Sequence, residues 1–234
     1  LKGIPTWARF DRVLEFIESR YPHADALIIT GDLAHDERHE TYQRLRERLG
    51  SWVPRVRLLP GNHDLREAIA TVFPEFILPG RQTIGFELQL DHWQLLGLDS
   101  QVTGKSHGWI DDEQLSWLNR KLADDPTRPT MIFLHHPPVE VQSVWLDAIR
   151  LQNGDALREM LRDQPHVRSL FFGHIHQEFE RQDETRGYYA TPSTGVQFTP
   201  RAEVLTIDPV SPGFRVISLD EGRFETHVVR VGEP

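Results

Sequence analysis

The chain has 234 residues, 38% of them hydrophobic, with 35 acidic against 26 basic side chains and a net charge of −9. That is enough apolar material for one α/β domain over residues 1–234 and too much for a disordered chain. The acidic balance offers no general attraction to nucleic acid or an anionic membrane. No run approaches the roughly 18 apolar residues of a membrane span, and the lack of cysteine excludes disulfides and thiolate ligands. Any metal site must therefore use His, Asp, Asn or Glu, which suit Mn, Fe, Zn or Mg. With no signal-peptide pattern, the expected location is the cytoplasm.

From the N-terminus, Thr6 is placed to cap a helix in which Phe10, Val13, Leu14 and Ile17 recur at helical spacing up to about residue 21. Residues 26–30 read as a short buried strand. A helix feeding a buried parallel strand normally follows an earlier strand, so a further strand is expected upstream of Leu1. Gly31-Asp32-Leu33-Ala34-His35-Asp36 follows directly. An Asp at the C-terminal end of a buried strand sits where open α/β sheets place their sites, and its two oxygens can bridge two cations. The competing reading is that Asp32 or Asp36 caps the helix over residues 37–49.

A second short strand over residues 56–59 runs into Pro60-Gly61-Asn62-His63-Asp64, followed by a helix over residues 66–72. Asn, Gly and Asp suit any turn, but a His wedged between Asn and Asp is not needed for one. Asn62 offers a metal a neutral oxygen. His63 can donate a proton or a hydrogen bond to a bound anion. Next come paired strands over residues 86–90 and 93–98, with Asp91 and His92 in the turn. Asp99-Ser100-Gln101 ends the second of them. His107 reads first as a loop histidine with a structural or peripheral role and second as one that reaches into the site, and Asp111 or Asp112 as the cap of a helix carrying Leu115, Leu118 and Leu122 on one face.

The strand over residues 131–134 ends in His135-His136-Pro137-Pro138. Adjacent side chains of a strand point opposite ways, so one histidine is a candidate ligand, His135, and His136 is structural. Trp145 lies in the following loop, before a helix over residues 155–162. The strand over residues 167–172 then runs into Gly173-His174-Ile175-His176. In extended backbone His174 and His176 project together, and Gly173 leaves room beside them. Beyond His176 the chain is β-rich, with strands over residues 177–181, 187–190, 203–207, 214–219 and 224–231. Between the second and third of these, residues 191–198 form a loop of small polar residues able to face a substrate.

Gly31-Asp32, Gly61-Asn62-His63-Asp64, His135-His136-Pro137 and Gly173-His174-Ile175-His176, in this order and each at a strand end, resemble the motifs of the calcineurin-like metallophosphoesterases. Leu98-Asp99-Ser100-Gln101-Val102, His107-Gly108, Gln177-Glu178, Ala190-Thr191-Pro192-Ser193-Thr194 and Val196-Gln197-Phe198 are similar to the bacterial class III 3′,5′-cyclic AMP phosphodiesterases in particular. The resemblance implies an α/β fold, a four-layer αββα sandwich of two mixed sheets flanked by helices. It implies two divalent cations, Fe2+ or Mn2+ first, with Zn2+ or Mg2+ as alternatives. Asp32 would bridge them, Asn62, His135 and His174 would complete one, and His176 would bind the other. His63 would be the catalytic residue, touching the phosphate and assisting the leaving oxygen, with Asp36 or Asp64 orienting it. Asp32, Asn62, His63 and His176 would contact the substrate, cyclic AMP, which would be hydrolysed to 5′-AMP by a hydroxide bridging the cations. Nucleic acid and membrane are not expected partners. One departure stands out. The Asp-x-His motif that opens the family's set, two further ligands of the cation at His176, has no counterpart here, in keeping with the strand expected upstream of Leu1. Two rivals follow: another phosphoester hydrolase on the same fold, and a non-catalytic scaffold that has lost one metal. The later ligand set, complete in this chain, weighs against the scaffold.

Overall fold

Strand alternation dictates the layering. A computed structural model describes residues 3–78 and 83–232; the strand predicted upstream of Leu1 lies outside them. The central element is a six-stranded mixed sheet. In spatial order it contains β3 (Phe86–Leu90), β4 (Trp93–Gly97), β5 (Thr130–Leu134), β6 (Val167–Phe172), β8 (Gly187–Ala190) and β7 (Phe179–Gln182). The four inner strands run parallel, and β3 and β7 are antiparallel edges. Every residue of β4 and β5 is buried, as inner strands covered on both faces require.

Side chains two apart share a face, so each inner strand supplies two cores. Leu96, Ile132, Leu134, Leu170 and Phe172 pack on one side against Leu118 and Leu122 of α4 (Asp112–Asp124) and Leu157 of α6 (Gly154–Met160). Leu95, Met131, Phe133 and Phe171 pack on the other against a second β layer. That layer consists of two ladders. β1 (Leu27–Ile29) pairs parallel with β2 (Val56–Leu58), and β11 (Gly213–Leu219) pairs antiparallel with β12 (Phe224–Arg230). Ile28, Leu59, Ile217, Leu219 and Phe224 face the six-stranded sheet. Beyond them, Val56 and Leu58 meet Val13, Leu14 and Ile17 of α1 (Thr6–Arg20), Tyr42, Leu45 and Leu49 of α2 (His39–Leu49), and Ala68 and Ile69 of α3 (Arg66–Val72). The order helix, β layer, β layer, helix is the αββα sandwich expected. No helix among the described residues is long and apolar enough to cross a membrane.

Several local expectations are corrected. β1 is half-buried along its whole length rather than fully buried, because among the described residues it pairs with β2 alone. Thr6 begins α1 without a side-chain capping bond, and neither Asp32 nor Asp36 is the residue preceding α2. Of the two cap candidates for α4, Asp111 is the one used, as the sequence allowed, accepting from the Gln114 backbone N at 2.7 Å. The loop carrying Trp145 contains a one-turn helix, α5 (Val144–Asp147), and the strand predicted over 203–207 shrinks to a two-residue ladder of β10 (Ile207–Asp208) with β9 (Gln197–Phe198).

Candidate metal centre

The four polar clusters meet at the C-terminal ends of β1, β2, β5 and β6, on the rim where the two β layers face each other. The chain reverses sharply at this rim. Asp32, His174 and His176 have φ of 56°, 63° and 50°, a left-handed conformation that Asp and His tolerate better than bulkier residues. β6 stops at Phe172, so His174 and His176 do not project from extended backbone as predicted; each leaves its own left-handed turn. Two glycines allow the loops to touch. A Cβ on Gly31 (φ 102°) would lie 2.5 Å from His135 Nδ1, and one on Gly61 would lie 2.1 Å from Asp32 Oδ1.

The donor atoms have a definite polarity. His135 Nδ1 is 2.7 Å from the Thr30 carbonyl, which can only accept, so Nδ1 carries the proton and the lone pair is on Nε2. That nitrogen lies 3.2 Å from Asn62 Oδ1, 3.2 Å from His174 Nδ1 and 3.5 Å from Asp32 Oδ1. Three acceptor atoms, His135 Nε2, Asn62 Oδ1 and Asp32 Oδ1, thus face one another, an arrangement that repels itself in a protein interior unless a cation sits among them, and His174 Nδ1 joins them in the tautomer that places its proton on Nε2. The donor set of imidazole, carboxylate and amide oxygen fits a divalent first-row ion. His174 Nε2 is buried with no partner among the described residues.

Protonation states agree with this. Burial works against charge on Asp32, but His135, the His63 backbone N–H, and His63 and His176 outweigh it and hold the carboxyl below its usual range. Burial pushes His174 well below 6.5, helped by His136 and His135, and pushes His176 down to about 4. Both are thus neutral near pH 7, the form that binds metal.

His135, His136 and His174 have ring nitrogens within 4.8 Å of one another, yet His136 is committed elsewhere. Its backbone N donates to Ser100 Oγ, the Ser100 hydroxyl in turn lies 2.8 Å from His136 Nδ1, and His136 Nε2 faces the Ser106 carbonyl at 3.2 Å. With both nitrogens engaged it braces the cluster instead of facing the convergence point.

His63 is exposed, and its backbone N donates to Asp32 Oδ1 at 3.0 Å. Neither candidate Asp orients its ring. Asp36 accepts from Arg38 N and Thr41 Oγ1. Asp64 accepts from Leu33 N, Ala34 N, Gly61 N and Tyr42 Oη, which ties the Asp32 loop to the Asn62 loop. Burial and the charge on Asp32 push its pKa up to about 7. A ring contact on His63 comes instead from His35, with centroids 4.6 Å apart.

Gln101, in the motif that ends the strand before it, has a structural task. Its Nε2 donates to the Gly61 and Asp64 carbonyls at 2.7 and 2.5 Å, bracing the loop that carries Asn62 and His63. Beside it, Asp99 takes a bidentate bond from Arg66, at 2.9 and 3.1 Å. His107 lines an adjoining cleft of about 560 Å³, together with Arg66, Gln101 and the half-exposed Trp109.

Residues 4–178 match the model of the calcineurin-like phosphoesterases. The chain belongs to this family. Over 236 residues it is 40% identical to the 3′,5′-cyclic adenosine monophosphate phosphodiesterase CpdA of Escherichia coli, covering 100% of this chain and 84% of that protein. Identity to the CpdA of Pseudomonas aeruginosa is 34%, with the same coverage of both. A 3′,5′-cyclic-nucleotide phosphodiesterase of Nostoc is 36% identical over 99% of this chain and 86% of its own. Solved structures share the fold at lower identity. A dimetal phosphatase from Danio rerio superposes with a TM-score of 0.64 at 15% identity, over 96% of this chain and 88% of that one. A purple acid phosphatase from yellow lupin gives 0.73 at 12% identity, over 97% of this chain and 47% of its own.

Proposed function

We propose that this phosphoesterase hydrolyses 3′,5′-cyclic AMP to 5′-AMP with two divalent cations, Fe2+ or Mn2+ by preference. The observation that carries the reading is the convergence of His135 Nε2, Asn62 Oδ1, His174 Nδ1 and Asp32 Oδ1 beside an exposed histidine; the cyclic AMP phosphodiesterases it resembles along its whole length supply the substrate class.

In this reading Asn62, His135 and His174 would hold one cation, His176 would hold the other, and Asp32 would serve both. When bound, the cations neutralise the phosphodiester, activate a water and stabilise the attacking and leaving oxygens. Asp32 keeps its charge because the surrounding histidines and the hydrogen bond from the His63 backbone N–H outweigh the cost of burial. His135 keeps its lone pair inward because Thr30 holds the opposite proton. His63 donates a hydrogen bond to a phosphoryl oxygen and passes its proton to O3′ as the P–O3′ bond breaks. Water forms the new P–O bond as P–O3′ breaks and releases a proton to solvent, from which His63 is reprotonated, so 5′-AMP is the product. Asp32, Asn62, His63 and His176 surround the phosphodiester.

The test is 5′-AMP formation from cyclic AMP with added Mn2+, with and without chelator, in parallel with metal content. Asp32→Ala is expected to lose both metal and turnover. His63→Ala is expected to keep its metal while kcat falls roughly 10²- to 10⁴-fold, the range of a general acid. Full turnover by Asp32→Ala would end the proposal. A metal-loaded protein that cleaves other phosphodiesters but leaves cyclic AMP intact would keep the site and replace the substrate.

A further inference from the structure

We infer that Phe198 is the positioning residue of His176, an aromatic wall contributed by the C-terminal part of the chain beyond the family-matched segment. The inference rests on the reading of His176 as a cation ligand.

The other histidines of the centre have internal supports. His135 is locked by the Thr30 carbonyl, and the His174 ring packs 5.0 Å from that of His135 and 4.7 Å from that of His136. His176 is different. It follows the end of β6, at a φ of 50° that a non-glycine residue rarely adopts, and it is half-buried. Local backbone preference therefore does not fix where its imidazole points. Its aromatic neighbour is Phe198, stacked face to face with centroids 4.3 Å apart and ring planes within 2°.

The platform is itself anchored. The Phe198 backbone N donates to the His176 carbonyl at 3.2 Å, and Gln177 Nε2 reaches the Thr199 carbonyl at 3.4 Å, so the strand holding Phe198 lies alongside the histidine turn. Next to Phe198, buried Gln197 is held at both ends of its amide, by the Ser193 carbonyl at 2.7 Å and by Arg230 at 2.9 Å. Trp145 meets the Phe198 ring edge-on at 5.2 Å, from the loop after Pro138. The match to the family ends at residue 178, so this support lies outside it. A flat ring pressed against a flat imidazole restricts its rotation while leaving its edge uncovered; the Val196 backbone reaches that edge, and Nδ1 is buried without a hydrogen-bond partner among the described residues. An aliphatic side chain of similar volume fills the space without imposing that plane.

Mn2+ binding to the metal-free protein, titrated by electron paramagnetic resonance, separates the possibilities, with Phe198→Leu, Phe198→Tyr and Trp145→Leu compared at matched folded fraction. Phe198→Leu is expected to weaken one of the two Mn2+ ions by roughly 10- to 100-fold, the range seen when a residue supporting a ligand is removed. Phe198→Tyr should restore it, and Trp145→Leu should show a smaller loss. Two tight Mn2+ ions in Phe198→Leu would overturn the inference, as would a rise in KM for cyclic AMP with metal binding unchanged, which would make Phe198 a substrate contact. If Phe198→Leu does not fold, Phe198→Tyr and Trp145→Leu decide: a Tyr variant with one weakened ion overturns the inference, and a wild-type Tyr variant beside a weakened Trp145→Leu supports it. A wild-type protein that binds no metal would instead strike at the reading of the centre.

Discussion

The two sides of the metal centre are built on different principles. His135 and His174 leave β5 and β6, interior strands of a six-stranded sheet with apolar cores on both faces. Asp32 and Asn62 leave β1 and β2, a two-stranded ladder in which β1 is half-exposed at all three residues. The first pair is positioned by hydrophobic packing, the second by a polar hub, Asp64, which collects four donors from the two loops and α2. Packing is distributed over many weak contacts, whereas the hub concentrates the same task in one carboxylate. The two sides should therefore fail differently.

The largest expected effect is on the packed side. Phe133 lies between Phe86 and Phe171, with centroids 5.9 and 5.2 Å away, and is almost fully buried. Phe133→Ala should cost about 4 kcal/mol, lowering the melting temperature by roughly 8–16 °C, while the molecules still folded retain Mn2+ binding. Calorimetry together with metal titration checks both halves of that statement; metal loss in the folded fraction would show that packing also sets ligand geometry directly. Next is the hub. Asp64→Asn turns an amide NH2 toward backbone N–H groups and should cost about 3 kcal/mol. Unlike Phe133→Ala, it should also weaken Mn2+ binding in the folded protein, because the Asp32 and Asn62 loops lose their common tie. If Asp64→Asn binds metal like the wild type, the polar side is held by something other than this carboxylate.

Acid gives the finest separation, in chelator-treated protein. Burial depresses His136 and His174 well below 6.5 and His176 to about 4. As pH falls below about 6.5 the unfolded chain takes up protons that the folded chain refuses, and stability declines toward the folded values. Asp64 works in the opposite direction. With its folded value raised to about 7 from an ordinary 3.8, the folded chain holds the extra proton, and stability from this group grows as pH falls from 7 toward 4. Between pH 6.5 and 5 the wild type should therefore lose stability less steeply than Asp64→Asn, by up to one proton's worth of slope, about 1.4 kcal/mol per pH unit. Denaturant melts at a series of pH values measure it, and parallel slopes would show that Asp64 is ionised throughout.

The local layout was legible in the sequence. Short apolar runs ending in polar clusters identified the strands around residues 28, 57, 132 and 170, and alternation along β5 sent His135 and His136 to different sides. The same alternation misled at Gly173-His174-Ile175-His176, where it assumed that the strand continues; the strand ends at Phe172 and each histidine turns in the left-handed region. Beside His63 lies the ring of His35, while Asp64 is taken up by four donors that no spacing rule reveals.

By itself, then, the sequence determined which segments form strands, which strand ends carry ligand-type side chains, and the family to which their order points. Those properties are periodic and local, and burial of apolar surface enforces them residue by residue. Only the tertiary structure decided which atom of each side chain faces inward. The lone pair of His135 is directed by a carbonyl 105 positions away, at Thr30. The brace on His136 comes from Ser100 and Ser106, and the wall on His176 from Phe198. Such contacts join residues far apart in the chain through single hydrogen bonds and ring faces, which leave no period for a sequence to display.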